Sequence, residues 1–304
     1  MSTQNNVKLD LPFKAPYDWP RTLRFFSGRA TPGVESIEAG AYRRAIEWAG
    51  DSGTLQVTLH PRKRCLVATI DGAVARHADS LATPVSRMFD LRADPRAIGA
   101  ALGADPWLAP LVDAAPGLRV PGAWSGFELV VRAIVGQQVS VKAATTIIGR
   151  LVERAGKRIE EHPHERTAWR FPTPAALASA DLAQIGMPGK RVAALQGFAQ
   201  AVATGAVPLD DPAADVTALR AALLALPGIG PWTVEYVAMR AWRDPDAWPA
   251  WDLVLMQSIA ARDPALARPT QQRTRTDAWR PWRAYAAMHL WNEVTDRLGA
   301  ARGG

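Results

Sequence analysis

The chain has 304 residues, 48% apolar and 21% charged, which excludes a disordered chain and leaves room for about two domains. The formal charge is +7 and the pI about 10, so an anionic partner is expected, either nucleic acid or a membrane surface. Cys65 is the only cysteine, which excludes an intrachain disulfide, a Cys-rich zinc site and a four-cysteine iron–sulfur cluster. The opening MSTQNNVKLD lacks an apolar signal core, and no run approaches the roughly 18 apolar residues of a membrane span. A soluble, cytoplasmic protein is expected, with the nucleoid as one address.

In chain order, Thr54–Leu59 (TLQVTL) and Cys65–Ile70 (CLVATI) alternate or run apolar, with β-branched residues, on either side of HPRKR. That pattern predicts a hairpin. Thr83–Leu91 and Asp94–Leu102 read as short helices. From about Pro106 the texture turns to helices punctuated by Pro and Gly. Ser125 is placed to cap a helix to Gly136, Ser140 to cap VKAATTIIGRLVERAG, and Thr173 or Pro174 to open another. Gly186-Met187-Pro188-Gly189 interrupts the helical pattern after it. Asp215–Leu226, Trp232–Trp242, Leu253–Arg262 and Pro281–Leu298 complete the helices. The expected fold is α+β and mostly helical. A mixed α/β domain at 1–100 precedes a helical region at 101–304, in which 126–244 form one part and 101–125 plus 245–304 the other. His162–Arg166 (HPHER) holds two histidines, but no third ligand at helical spacing, so a loop is expected there.

Leu226–Trp232 reads LPGIGPW and lies between two helical runs. It reads either as a helix reversal with a Gly cap or as an anion grip. For the grip, Gly228 and Gly230 allow backbone conformations closed to residues with a Cβ. The next helix starts at the turn, so its unpaired N–H groups and positive dipole end face the same way. A DNA phosphate suits such a site, with Ile229 between the glycines. Twenty residues beyond Trp232, the stretch WPAW is followed by Asp252. Asp252 reads as an ordinary N-cap or as a working carboxylate set among tryptophans. Trp232 and Tyr236 are four apart and share a helix face.

LPGIGPWTVEYVAMRAW followed by Asp252, with VRAIVGQQVS before it and PWRAYAAMHLW after it, resembles the helix-hairpin-helix DNA glycosylase superfamily. PYDW (Pro16–Trp19), SRMFDL (Ser86–Leu91) and PGLRVPG (Pro116–Gly122) resemble its AlkA-type branch, DNA-3-methyladenine glycosylase II. The resemblance runs through nearly the whole chain in order. It implies a monofunctional enzyme that flips an alkylated base, such as 3-methyladenine or 7-methylguanine, out of double-stranded DNA and hydrolyses its N-glycosidic bond in base excision repair. It implies Asp252 as the catalytic carboxylate. The base pocket would be formed by Phe25, Trp232, Tyr236 and Trp291, and Gln138 would be the wedge that fills the gap in the duplex. The hairpin Gly228–Gly230 would hold phosphate. No cofactor is required, although the resemblance suggests Na+ or K+ at the carbonyls of Leu224, Leu226 and Ile229. No membrane partner and a monomeric state are expected.

The chemistry needs no metal. An alkylated purine is cationic and already a good leaving group, and a carboxylate either stabilises the sugar cation it leaves behind or orients the attacking water. Aromatic faces attract the electron-poor base. Arg262, Arg268, Arg273, Arg275, Arg280 and Arg283 make a basic segment that reads either as solvated charge or as a track for the DNA backbone, and Lys190 and Arg191 stand beside a turn. Asn292 replaces the aromatic that close relatives carry after Trp291, which opens the pocket or makes it more polar. A non-catalytic DNA-holding module is the alternative, for which Asp252 and the aromatics would be unnecessary. A glycosylase/lyase would carry a lysine two residues after Gly230, where this chain has Trp232.

Overall fold

The computed structural model describes residues 6–159, 167–211 and 213–303, with side chains to 299, so HPHER lies outside the described residues. The chain opens with strand β1 (Asn6–Pro12) and helix α1 (Trp19–Ser27), capped by Asp18, whose Oδ1 accepts the Arg21 amide at 2.9 Å. Four strands come next: β2 (Glu35–Glu38), β3 (Ala41–Trp48), β4 (Asp51–Leu59) and β5 (Cys65–Gly72). They form one antiparallel sheet in the order β1-β5-β4-β3-β2. The expected hairpin is β4–β5, with Leu55 opposite Ile70. Alternation on these strands turns Leu55, Val57, Leu66, Ala68 and Ile70 fully inward. Trp19, Leu23 and Phe26 of α1 cover that face. So do Leu81, Val85 and Met88 of α2 (Ala78–Met88), which begins and ends earlier than the sequence suggested. Phe26 packs at 5.1 Å on Tyr42 and 5.4 Å on Phe89, and each such buried ring contributes about 1.5–3 kcal/mol.

The rest is helical: α3 (Pro95–Gly103), α4 (Ala109–Ala114), α5 (Gly126–Val135) and α6 (Val141–Ala155), then α7 (Pro174–Ser179) and α8 (Gly189–Ala203) after the two-residue strands β6 (Lys157–Arg158) and β7 (Trp169–Arg170). Ser125, Ser140 and Thr173 cap α5, α6 and α7 by accepting the amides of Glu128, Ala143 and Ala176. The chain ends with α9 (Val216–Leu224), α10 (Pro231–Arg240), α11 (Leu253–Ala260), α12 (Pro269–Asp277) and α13 (Arg283–Gly303).

Apart from the sheet core, the buried residues form two clusters. One draws on α5–α10, from Phe127 to Val237. The other joins Ile98–Val120 to Ala238–Leu290, with Phe25 from α1. The sheet is fastened to the first by charge. Arg44 on β3, 1% exposed, donates to Glu128 of α5 at 2.8 Å, lies 3.9 Å from Glu35 and stacks at 4.8 Å on Trp124. Among the described residues no helix is long and apolar enough to cross a membrane.

Candidate active site and DNA-binding hairpin

α9 and α10 form the expected helical hairpin. Pro231 stands at the first position of α10, where its missing N–H costs nothing. Gly228 has φ +80°, and a Cβ there would come 2.8 Å from the Ala194 Cβ. Gly230 differs from expectation. It is the N-cap of α10 at φ −104°, open to any residue, and an added Cβ would meet nothing within 4 Å. The turn therefore needs one glycine, not two. Gly228→Ala is expected to cost about 1–3 kcal/mol while Gly230→Ala folds normally, as thermal denaturation would read. Ile229 is buried and anchors the turn in the core.

The α5–α6 loop meets this turn. Gln137 Nε2 donates to the Gly228 carbonyl at 2.8 Å. The next residue, Gln138, has φ +58°, a left-handed conformation unusual for a residue with a Cβ. Its Oε1 accepts from Arg191 at 3.5 Å. Around the hairpin, the Leu226 carbonyl already accepts the Ile229 amide at 3.2 Å and keeps a second lone pair. Leu224 ends α9 and Ile229 sits in the turn, so all three carbonyls suggested as cation donors belong to the hairpin. Among the described residues no cluster of His, Cys, Asp or Glu could hold a metal ion.

Asp252 is both N-cap and cavity wall. Its Oδ1 accepts the amides of Val254 and Leu255, each at 3.0 Å, and the Trp291 indole N–H at 2.9 Å. Its Oδ2 accepts the Trp232 indole N–H at 3.1 Å. Four neutral donors fix the carboxylate's orientation, and among the described residues no cation pairs with it. Trp232 stacks on Tyr236 at 5.1 Å and 10°, and Trp291 meets Tyr236 edge-on at 6.3 Å. These groups line a cavity of about 460 Å³ together with Arg29 and Arg132. The helix spacing, the cap and the last helix thus bring Trp232, Tyr236, Asp252 and Trp291 together.

Phe25 does not line that cavity. It faces an adjoining one of about 550 Å³, which shares Arg29 and Trp291 with the first and includes Asn292. Arg24 donates to Asn292, making that wall polar. Trp251 is 58% exposed and Trp248 is buried against Trp279, so Trp251 does not enclose Asp252 as its neighbourhood in sequence suggested. A larger cavity of about 620 Å³ lies beyond the far end of α10. Its buried carboxylate, Asp90, is held by Arg243, the Tyr285 hydroxyl and the Val120 amide. That locks the group structurally, so the smaller cavity is the candidate site.

Most of the basic segment is paired. Arg275 grips Asp105 with both Nη atoms, Arg262 pairs with Glu293 at 2.9 Å, and Arg283 pairs with Asp246 at 2.8 Å. Arg280 also pairs with Asp246, and Arg273, though 86% exposed, lies 3.8 Å from Asp277. These arginines are mainly tertiary fasteners rather than a backbone track. Sequence reasoning missed Arg29, Arg132 and Arg240, and gave Gln137 no role beyond its place beside Gln138 between two helices. Only Arg240 carried a local clue, four residues after Tyr236 on the same helix.

A helical hairpin followed by a carboxylate capping a helix at the wall of an indole-lined cavity defines the class: a helix-hairpin-helix protein with an aromatic cavity at the hairpin's second helix. Residues 131–284 match the HhH-GPD superfamily of base excision DNA repair proteins, and residues 8–125 match the AlkA N-terminal domain. The chain belongs to the HhH-GPD superfamily. It is 34% identical to DNA-3-methyladenine glycosylase 2 of Escherichia coli K12 over 92% of this chain and 95% of that one. It is 39% identical to a probable bifunctional transcriptional activator/DNA repair enzyme AlkA of Mycobacterium tuberculosis, over 96% of this chain but 58% of that protein's length. Its fold is similar to the 3-methyladenine DNA glycosylase from Archaeoglobus fulgidus, with a TM-score of 0.78 at 18% identity over 93% of this chain and 96% of that one.

Proposed function

We propose that this chain is a monofunctional DNA glycosylase that flips alkylated purines out of duplex DNA and hydrolyses their N-glycosidic bonds. The observation that carries the proposal is Asp252. Its unneutralised carboxylate is held by two indole N–H groups at the wall of an aromatic cavity. Trp232, Tyr236 and Trp291 offer faces for the base, with Phe25 behind them. As the base departs, Asp252 faces the developing sugar cation and stabilises it, or orients the attacking water. Gly228–Gly230 and the start of α10 hold a phosphate, and Gln138 fills the gap in the stack. Trp232 occupies the position where a lyase would need its lysine, so the strand is left uncut. Na+ or K+ held by the Leu224, Leu226 and Ile229 carbonyls would add positive charge at the turn.

The three buried clusters support dividing the chain into an α/β domain at 1–100 and a two-part helical region at 101–304. A monomer acting on chromosomal DNA in the cytoplasm fits this reading. The test is base release from duplexes carrying 3-methyladenine, 7-methylguanine, hypoxanthine or ethenoadenine. Release of free methylpurine without strand cleavage is expected. Tight binding to methylated duplex with no base release would instead establish a non-catalytic DNA-holding module.

A further inference from the structure

Arg240 is a buried cation without an anion. It ends α10, is 5% exposed, and among the described residues no carboxylate pairs with it. Its Nε and Nη2 donate to the carbonyls of Pro121 and Gly122 at 2.8 and 2.7 Å. Its Nη1 donates to the Tyr236 hydroxyl at 2.6 Å. The guanidinium carbon lies 4.8 Å from the Phe25 ring centre and 5.2 Å from that of Tyr236. Burying a charge is costly, and an apolar side chain would fill the same space with less penalty. Packing alone does not account for a guanidinium here. Carbonyl dipoles and ring faces hold the charge without cancelling it.

That charge stands behind the aromatic wall of the Asp252 cavity. Burial pushes the Tyr236 phenol up, but the guanidiniums of Arg240, Arg29 and Arg132 outweigh it and hold the phenol below its usual range. Arg29 and Arg132 line the cavity itself, Arg132 facing Glu35 at 3.6 Å, and Asp252 is the carboxylate of its lining. The cavity is thus lined by two guanidiniums and one carboxylate, with a third guanidinium behind Tyr236.

We infer, resting on the glycosylase reading above, that Arg240 is a positioning residue that sets the charge behind Tyr236, and so decides how well neutral damaged purines compete with cationic ones. The bond that breaks is C1′–N9. Both its electrons leave with the base, water adds hydroxide to C1′, and the water's proton passes to solvent. A neutral purine becomes anionic as it leaves and then takes a proton from solvent. A fixed positive charge beside it stabilises that transition state without changing ground-state binding. A methylpurine arrives cationic and leaves neutral. The same charge opposes its arrival and assists its departure, and the two effects cancel in kcat/KM.

The experiment measures single-turnover release by the full chain from duplexes with one hypoxanthine or one 7-methylguanine, for wild type, R240Q and R240K. R240Q is expected to lose roughly tenfold in kcat/KM on hypoxanthine with KM unchanged. On 7-methylguanine it should lower kcat and KM together, leaving kcat/KM within about twofold. R240K keeps the charge and should keep the wild-type ratio between the two substrates within about threefold, whatever it loses in thermal stability. Equal losses on both substrates in R240Q would overturn the inference, as would an R240K ratio that matches R240Q. Should R240Q not fold, R240K against wild type decides alone, a lost ratio overturning the inference. Wild-type protein that frees neither base fails differently, because it removes the glycosylase reading and this inference with it.

Discussion

Asp252→Asn is expected to release methylpurines roughly a thousandfold more slowly than wild type while binding the same duplex with the same salt dependence. The magnitude comes from Coulomb's law. A carboxylate about 4 Å from a sugar cation, at an effective dielectric near 20, is worth roughly 4 kcal/mol. The variant isolates that charge. Asparagine is as good an N-cap as aspartate, so α11 keeps its first turn and Oδ1 keeps its partners at Val254, Leu255 and Trp291. Only the Trp232 indole loses an acceptor. Base release and filter binding on one 7-methylguanine duplex separate the two effects. Retention of most activity would show that the carboxylate assignment is wrong.

Arg44→Ala is expected to lose about 3–5 kcal/mol of stability at neutral pH in urea unfolding. Arg44 is the partner of Glu128 at 2.8 Å, and burial already pushes the Glu128 carboxyl above its usual range despite that partner. Removing the guanidinium takes away Glu128's ion-pair partner between the sheet and α5 and leaves only the weaker pull of Arg132 against its burial. Glu35 suffers less, because Arg132 remains 3.6 Å away and Tyr42 still donates to it. The same burial sets the sign of the pH dependence. In the variant the folded-state Glu128 takes up a proton more readily than the unfolded chain does. The deficit therefore shrinks as pH falls through the folded-state value and grows as pH rises through it. Adding Glu128→Gln should recover much of the loss at neutral pH, whereas a purely steric role for Arg44 would leave the double variant no better than the single.

Local chemistry made much of this molecule legible from its sequence. Caps declare themselves over three residues, which is why Ser125, Ser140 and Thr173 stand where the pattern placed them. The β4–β5 hairpin was legible because alternation and a turn lie side by side. The partners of that hairpin were not: β1 pairs with β5 across more than fifty residues, and no short-range pattern encodes that register. The same limit applies to the cavity. Trp232 and Tyr236 were linked by helix spacing, and Asp252 was marked by its cap. That the Trp232 and Trp291 indoles both donate to Asp252 depends on how α10, α11 and α13 pack. Arg29, Arg132 and Arg240 look in sequence like any other arginine, because charge at a buried site becomes visible only when its surroundings are known. Gly230 was misread for the opposite reason: glycine permits a left-handed backbone without requiring one.

The hydrogen bond from Gln137 to the Gly228 carbonyl has a mechanical consequence. It links the loop that carries Gln138 to the turn proposed to hold a phosphate. If the turn holds a phosphate and Gln138 probes the stack, as proposed, that bond would couple the two contacts at one spacing, as a beam couples the jaws of a caliper. Under the proposed grip, a nucleotide whose stacking is already weak would yield first, a selection by stiffness that would precede the entry of any base into the pocket.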